Sequence, residues 1–285
     1  MTAATVLPST YALGGDRIVT RLGFGAMRLA AGTFTGPPRD PETGIRVLRQ
    51  AVEAGVDHID TAAFYEHGGV RANELIRRAL TPTSDVVVAT KVGPMRDASG
   101  ALSSEAGPDE LRGLVEENLR ELRRDQLDLV YLRVGGLHAP DGRSIGARFQ
   151  VLADLRQQGL IRRVGVSNVD SAQLAEARAI APVAAVQNRF GIHDRDALGL
   201  LAECEAAGIA FVPFFSLIGE PTPALAAVAA RHEATSHQIA LAWTLQLAPN
   251  VLAIPGTGDA AHLTANMAAG RIRLTADDLD ELDGL

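Results

Sequence analysis

The 285-residue sequence predicts a (β/α)8 TIM barrel with an N-terminal β-hairpin, a single domain over residues 1–285. Three observations carry this. Eight short, nearly all-apolar, β-branched segments alternate with eight helical ones, as parallel strands buried on both faces should. Many helical segments end at a glycine just before the next strand, as in Ala54-Gly55-Val56, Gln158-Gly159-Leu160 and Ala207-Gly208-Ile209. Asp60, Lys91, Arg133, Asn168 and Gln187 each stand at the C-terminal end of a different strand, where such a barrel builds its site.

In order, residues 11–13 and 18–20 flank Gly14-Gly15-Asp16-Arg17 and read as a hairpin with a glycine turn. Leu22-Gly23-Phe24-Gly25-Ala26-Met27 follows as the first buried strand. Further strands are expected at 56–60, 86–91, 128–133, 162–167, 183–187, 209–213 and 251–254. Helices are expected near 42–54, 70–80, 108–122, 145–158, 171–180, 194–207, 223–247 (in two pieces) and 259–269. No linker, repeat or low-complexity segment marks a second domain.

Composition and motifs exclude several classes. With 27 basic and 34 acidic residues the net charge of −7 disfavours nucleic acid. The first residues lack the charged and apolar regions of a signal peptide, and the apolar run at 224–230 is far too short to span a bilayer. A lone cysteine, Cys204, suits a reducing compartment, so a cytoplasmic protein without membrane partner is expected. Gly23-Phe24-Gly25 lacks the third glycine of a dinucleotide fingerprint, and no helix is expected to begin there. Gly165-Val166-Ser167-Asn168-Val169 lacks the second glycine of a nucleophile elbow. His232 and His237 lie five apart, out of phase for a zinc pair, and no metal-ligand spacing occurs elsewhere.

The chemistry concentrates in Val56 to Tyr65 and in Lys91. Val56, His58 and Asp60 share one strand face, and Tyr65 follows on the loop five residues after Asp60. A lysine closing the apolar strand before Val92 is costly unless its charge is needed. Asp60 can pair with it and Tyr65 can use it, which suggests a proton donor whose pKa is lowered toward neutrality. The bland alternative is a structural ion pair beside a tyrosine. His58 reads as a hydrogen-bonded core residue, His67 and His138 as loop histidines, and Cys204 as inert between two glutamates.

Leu22 to Met27, Ile59-Asp60-Thr61-Ala62-Ala63-Phe64-Tyr65, Thr90-Lys91-Val92, Leu127-Asp128-Leu129, Gly165-Val166-Ser167-Asn168 and Val186-Gln187-Asn188 together resemble the aldo-keto reductases. So do Gln238 to Trp243 and Ile254-Pro255-Gly256-Thr257 with His262 and Asn266. Gly36-Pro37-Pro38-Arg39, Leu132-Arg133-Val134 and Val212-Pro213-Phe214-Phe215 are similar to a bacterial branch that includes pyridoxal reductase. The resemblance implies reduction of a small-molecule carbonyl by NADPH, with NADH as the alternative, and gives Tyr65, Lys91, Asp60 and Arg133 the catalytic roles. It places the cofactor along Gly25, Ala26, Met27, Asp60, Ser167, Asn168, Gln187, Phe214, Phe215, Ser216, Leu217, Ile254, Pro255, Gly256, Thr257, His262 and Asn266, with Phe214 stacking on the nicotinamide. No metal is implied.

Two departures stand out. Arg133 replaces the family's usual histidine, and its strand phase with Leu129 and Tyr131 points it into the barrel mouth. Gly256 and His262 replace the lysine and arginine of the 2′-phosphate site; helix N-terminal amides after Pro255 can still hold phosphate, with Asp259 opposing. Substrate choice falls to the loops at 93–107, 135–143 and 216–222, whose Arg96, Asp97, His138, Asp141, Arg143 and Glu220 suit a polar aldehyde, pyridoxal first. The chain's end at Leu285 leads us to expect a pocket open on the side that a long C-terminal loop covers in many relatives. The alternatives are a ketoreductase of secondary metabolism and, from another class, a nicotinamide-binding regulator with slow turnover. Oligomeric state is not legible.

Overall fold

The computed structural model describes residues 7–32, 36–81, 84–97, 101–135, 140–216 and 221–284. The chain opens with the hairpin β1 (Thr10–Leu13) and β2 (Arg17–Thr20), turning at Gly14 and Gly15, whose φ of +64° and +83° favour glycine. Then come β3 (Phe24–Gly25), the single turn α1 (Met27–Ala30), α2 (Pro41–Glu53) and β4 (His58–Asp60). A small ribbon, β5 (Glu66–His67) and β6 (Val70–Arg71), precedes α3 (Ala72–Ala79) and β7 (Val87–Val92). A second ribbon, β8 (Pro94–Arg96) and β9 (Leu102–Glu105), leads into α4 (Pro108–Leu122). The regular part follows as β10 (Leu127–Arg133), α5 (Gly146–Gln157), β11 (Ile161–Ser167), α6 (Ser171–Ile180) and β12 (Val183–Gln187). Last come α7 (Leu198–Ala206), β13 (Ala210–Phe211), α8 (Pro223–Arg231), α9 (Ser236–Gln246), α10 (Ala260–Ala269) and α11 (Ala276–Asp283).

Seven strands form one parallel sheet in the order β13-β12-β11-β10-β7-β4-β3. The expected eighth strand is reduced to single bridges: Val251 pairs with Phe211 at one edge and Ala253 with Leu22 at the other. Those bridges join the two edges and close the ring. Pro249 and Pro255 flank the segment without N–H groups to extend its ladder, which accounts for its brevity. Inward residues of β7, β10, β12 and β13 pack with Leu13 and Val19 of the hairpin, so the hairpin plugs the ring from below. The outward residues pack against the helix layer.

Several expectations are corrected. A helix does begin near Gly25, the four-residue α1. Val70 and Arg71 belong to a ribbon rather than to the helix after it, and residues 194–197 precede α7. Within the loop at 93–107, residues 94–96 and 102–105 pair as a ribbon, and α11 was not anticipated. His58 is buried with neither ring nitrogen in a hydrogen bond; its Nδ1 lies 3.5 Å from Asp57, and a Cβ at Gly23 would overlap its ring. No helix among the described residues is long and apolar enough to cross a membrane.

Candidate active site

The C-terminal ends of the strands surround a cavity of about 1240 Å³, larger than a single small-ligand pocket. Strand alternation aims Asp60 and Lys91 into it from β4 and β7. Lys91 Nζ donates to Asp60 Oδ2 at 2.6 Å and to the Thr61 carbonyl at 2.9 Å. The other Asp60 oxygen accepts from Gln187 Nε2 at 2.7 Å. Tyr65 enters from the turn after β4, whose geometry is fixed by its N–H on the Ala62 carbonyl and its carbonyl under the Ala72 N–H, both 2.9 Å. Lys91 Nζ lies 4.8 Å from the centre of the Tyr65 ring, close enough for the ammonium charge to favour the phenolate.

Charge balance corrects one expectation. Burial raises Tyr65 above its ordinary value, and the opposing charges of Lys91 and Arg133 reduce that effect without reversing it. Burial alone would lower Lys91, but Asp60 and then Tyr65 outweigh it, leaving the ammonium above its usual value. Tyr65 is therefore a phenol firmly in its protonated form beside a fixed cation.

Arg133, at the end of β10, is 7% exposed, and burial pushes it down to about 10. Its Nη1 donates to Ser167 Oγ at 3.2 Å, and its Cζ lies 4.8 Å from the centre of the Phe214 ring. Phe215 meets Phe214 edge-on at 5.2 Å, with a left-handed φ of +59°.

Of the residues expected at the cofactor, Gly25, Met27, Gln187, Phe214, Phe215, Ser216, Ile254, Pro255, Gly256, Thr257, His262 and Asn266 line this cavity. Ala26, Ser167 and Asn168 do not: Ala26 and Ser167 are fully covered, and Asn168 turns its amide onto the Val134 carbonyl at 2.9 Å. Leu217, His138 and Glu220 lie outside the described residues. Gly256 is demanded by backbone proximity, since a Cβ there would sit 2.5 Å from the Gly25 carbonyl oxygen. The α10 amides of Ala261 and His262 are already capped by Asp259 at 2.8 and 3.0 Å, so they are not open to phosphate in this arrangement.

Further residues line the cavity, of which Arg28, Glu66 and Glu105 were not singled out from the sequence. Arg28 lines it and donates to the Gly32 carbonyl at 2.9 Å. Close by, the Arg39 side chain crosses Gly258, and its charge joins that of His262 in lowering Asp259, after the backbone N–H of His262. Glu66, His67, Arg96, Glu105 and Arg143 ring the Tyr65 end. One overlooked signal was available: Lys91 is the only lysine, every other cation in the 27 being arginine. In so arginine-rich a chain a single lysine marks a position where a compact ammonium is needed.

A buried carboxylate–ammonium pair with a phenol beside it thus stands at the mouth of a closed parallel ring. The chain belongs to the aldo/keto reductase family, whose model matches residues 21–221 and 220–285. It is 46% identical over 284 residues to a pyridoxine 4-dehydrogenase of Escherichia coli (strain K12), covering 97% of this chain and 98% of that one. A thermostable aldo-keto reductase solved with the inhibitor epalrestat superimposes with a TM-score of 0.80 at 31% identity, covering 96% of this chain and 98% of that one. An aldo-keto reductase from Klebsiella pneumoniae in complex with NADPH gives 0.78 at 26%, covering 98% and 95%.

Proposed function

We propose that the protein interconverts a polar aldehyde and its alcohol, with pyridoxal and pyridoxine the leading pair, using NADPH in preference to NADH. The observation that carries this reading is the Asp60–Lys91–Tyr65 chain opening on one cavity large enough for a dinucleotide and a small substrate. The relative in Escherichia coli, a pyridoxine 4-dehydrogenase, supports the substrate. When bound, NADPH supplies hydride to the carbonyl carbon.

The residues fit such a group. At one end lie Arg28 and His262, with Arg39 across Gly258, three basic side chains where a polyanion needs charge. The other end offers the flat face of Phe214. Tyr65 gives its proton to the oxygen of the reduced carbonyl, and Lys91 stabilises the phenolate left behind. Asp60 keeps Lys91 charged and aimed. Water then returns the proton. Arg133 lies over Phe214, and as a planar buried cation near Tyr65 it would donate to negative charge developing on the carbonyl oxygen.

The test is an aldehyde and ketone panel followed by nicotinamide absorbance with each reduced cofactor. Pyridoxal is expected among the best substrates, with NADPH. Tight cofactor binding without turnover of any carbonyl would favour a regulator instead.

A further inference from the structure

Behind the Asp60–Lys91 pair, on the outer side of the barrel wall, four buried polar side chains form a continuous run of hydrogen bonds. Thr61 follows Asp60 and Thr90 precedes Lys91, so strand alternation turns both threonines out toward the helix layer. Thr61 Oγ1 donates to Asn73 Oδ1 on α3 at 2.8 Å. Asn73 Nδ2 donates to Asn118 Oδ1 on α4 at 3.1 Å and to Glu121 at 2.9 Å. The same Asn118 oxygen accepts from Thr90 Oγ1 at 2.6 Å, while Asn118 Nδ2 donates to the Leu114 carbonyl at 2.9 Å. Thr61, Asn73, Thr90 and Asn118 are each at most 1% exposed.

The surrounding layer is apolar, and valine or leucine would fill these positions at no hydrogen-bonding cost. Buried amides are costly unless each is paired, and a fully paired set fixes geometry where an apolar contact leaves freedom. Here the paired set ties β4 to β7 at the two residues adjoining Asp60 and Lys91. On the inner face Lys91 bridges the same strands through Asp60 and the Thr61 carbonyl. The two strand ends are held from both sides.

We infer that Asn118, linked through Asn73 to Thr61, is a positioning residue that holds Lys91 against both Asp60 and the Tyr65 hydroxyl. This rests on Tyr65 being the proton donor. Displacement of a positioned group by about 1 Å costs on the order of a hundredfold in rate, so loosening this tie should reach kcat without touching substrate or cofactor.

The test compares Asn118→Leu, Thr90→Val and Thr90→Ser. Because Lys91 is the only lysine, protein grown on lysine labelled at Cε reports its titration by NMR as a single signal. Asn118→Leu and Thr90→Val are expected to lower kcat for pyridoxal by about tenfold or more, with KM and NADPH Kd within about twofold of wild type. The Lys91 signal should titrate at lower pH in both, because Asp60 no longer holds the ammonium as closely. Thr90→Ser keeps the hydroxyl and should restore most of kcat. An unchanged Lys91 titration and kcat in Thr90→Val would overturn the inference, whatever the melting temperature does. Should Asn118→Leu fail to fold, Thr90→Val decides alone. If wild type turned over no carbonyl, the catalytic reading would fail, while the Lys91 titration would still decide whether these side chains position the ammonium.

Discussion

Arg133 stands where the family resemblance leads one to expect histidine, and its surroundings define what its charge can do. Burial has already weakened its hold on its proton, yet at neutral pH it stays a cation beside Tyr65. If it donates to the developing oxyanion, Arg133→Ala should cut kcat by on the order of a hundredfold. The same variant uncovers the Phe214 face proposed to receive the nicotinamide, so NADPH should bind as tightly or more tightly. Arg133→Lys, with charge but no planar fork, should recover part of kcat. Steady-state kinetics with one good aldehyde, alongside a fluorescence titration of NADPH, separates the two effects; full activity in the alanine variant would leave Arg133 a structural cation. That Asp60 and Lys91 meet with Tyr65 beside them was legible in the sequence, because a lysine closing an apolar strand needs a buried partner. The direction of the Tyr65 shift was not. It depends on how far packing excludes water from the hydroxyl, and that is a property of the folded ring rather than of neighbouring letters.

At the scale of elements, the start of α10 and the seam between α8 and α11 make different predictions. Asp259 satisfies the first free amides of α10, so the helix terminus contributes little to phosphate binding and basic side chains must do it. His262→Arg should therefore raise the ratio of NADH Kd to NADPH Kd, measured by fluorescence; an unchanged ratio would place the 2′-phosphate elsewhere. In α11, Asp278 is 3% exposed and accepts from Arg231 at 2.8 and 3.0 Å, pairs with His232 at 2.8 Å, and caps its own helix at Thr275. Burial would raise its pKa, but the bonds from His232, Thr275 and Arg231 overcome that and hold it well below the usual carboxylate range. Its folded-state pKa is depressed, so its stabilisation is present above the unfolded value near 3.8 and lost as pH falls through the folded one. Asp278→Asn should cost about 1–3 kcal/mol at neutral pH, with the gap to wild type closing below about pH 4 in urea titrations. Helix α11 escaped the sequence reading because its ADDLDELD run is too acidic and short to show an apolar period. The ribbons β5–β6 and β8–β9 escaped because two- to four-residue strands in loops carry no periodicity.

The whole molecule depends on closing the ring, and there one buried cation matters. Arg21 is 5% exposed and donates to the carbonyls of Val251 and Pro8, both at 3.1 Å, and to those of Leu245 and Ala248. It thereby joins the end of α9 and the single-bridge eighth segment to the start of β3. Arg21→Met keeps the apolar stem and strands these carbonyls, which should cost on the order of 2–4 kcal/mol. Chemical denaturation measures it, and kcat per folded molecule should hold, since Arg21 lies at the floor and the site at the mouth. The ring itself was legible because alternation and glycine caps repeat around it. The closing strand was legible too, at 251–254, but not its brevity, which is one bridge at each edge through Val251 and Ala253.

The act proposed for the barrel mouth and the Asp60–Lys91 pair is delivery of a proton by Tyr65, and Tyr65→Phe examines it with little change in volume. Cofactor Kd and melting temperature should stay near wild type while kcat for pyridoxal falls by at least about a hundredfold. Because burial keeps the phenol protonated, wild-type reduction should hold level across neutral pH and decline only above about 10, the ordinary tyrosine range. A Phe variant that reduced pyridoxal at the wild-type rate would show that the proton comes from another group and that Tyr65 serves packing alone.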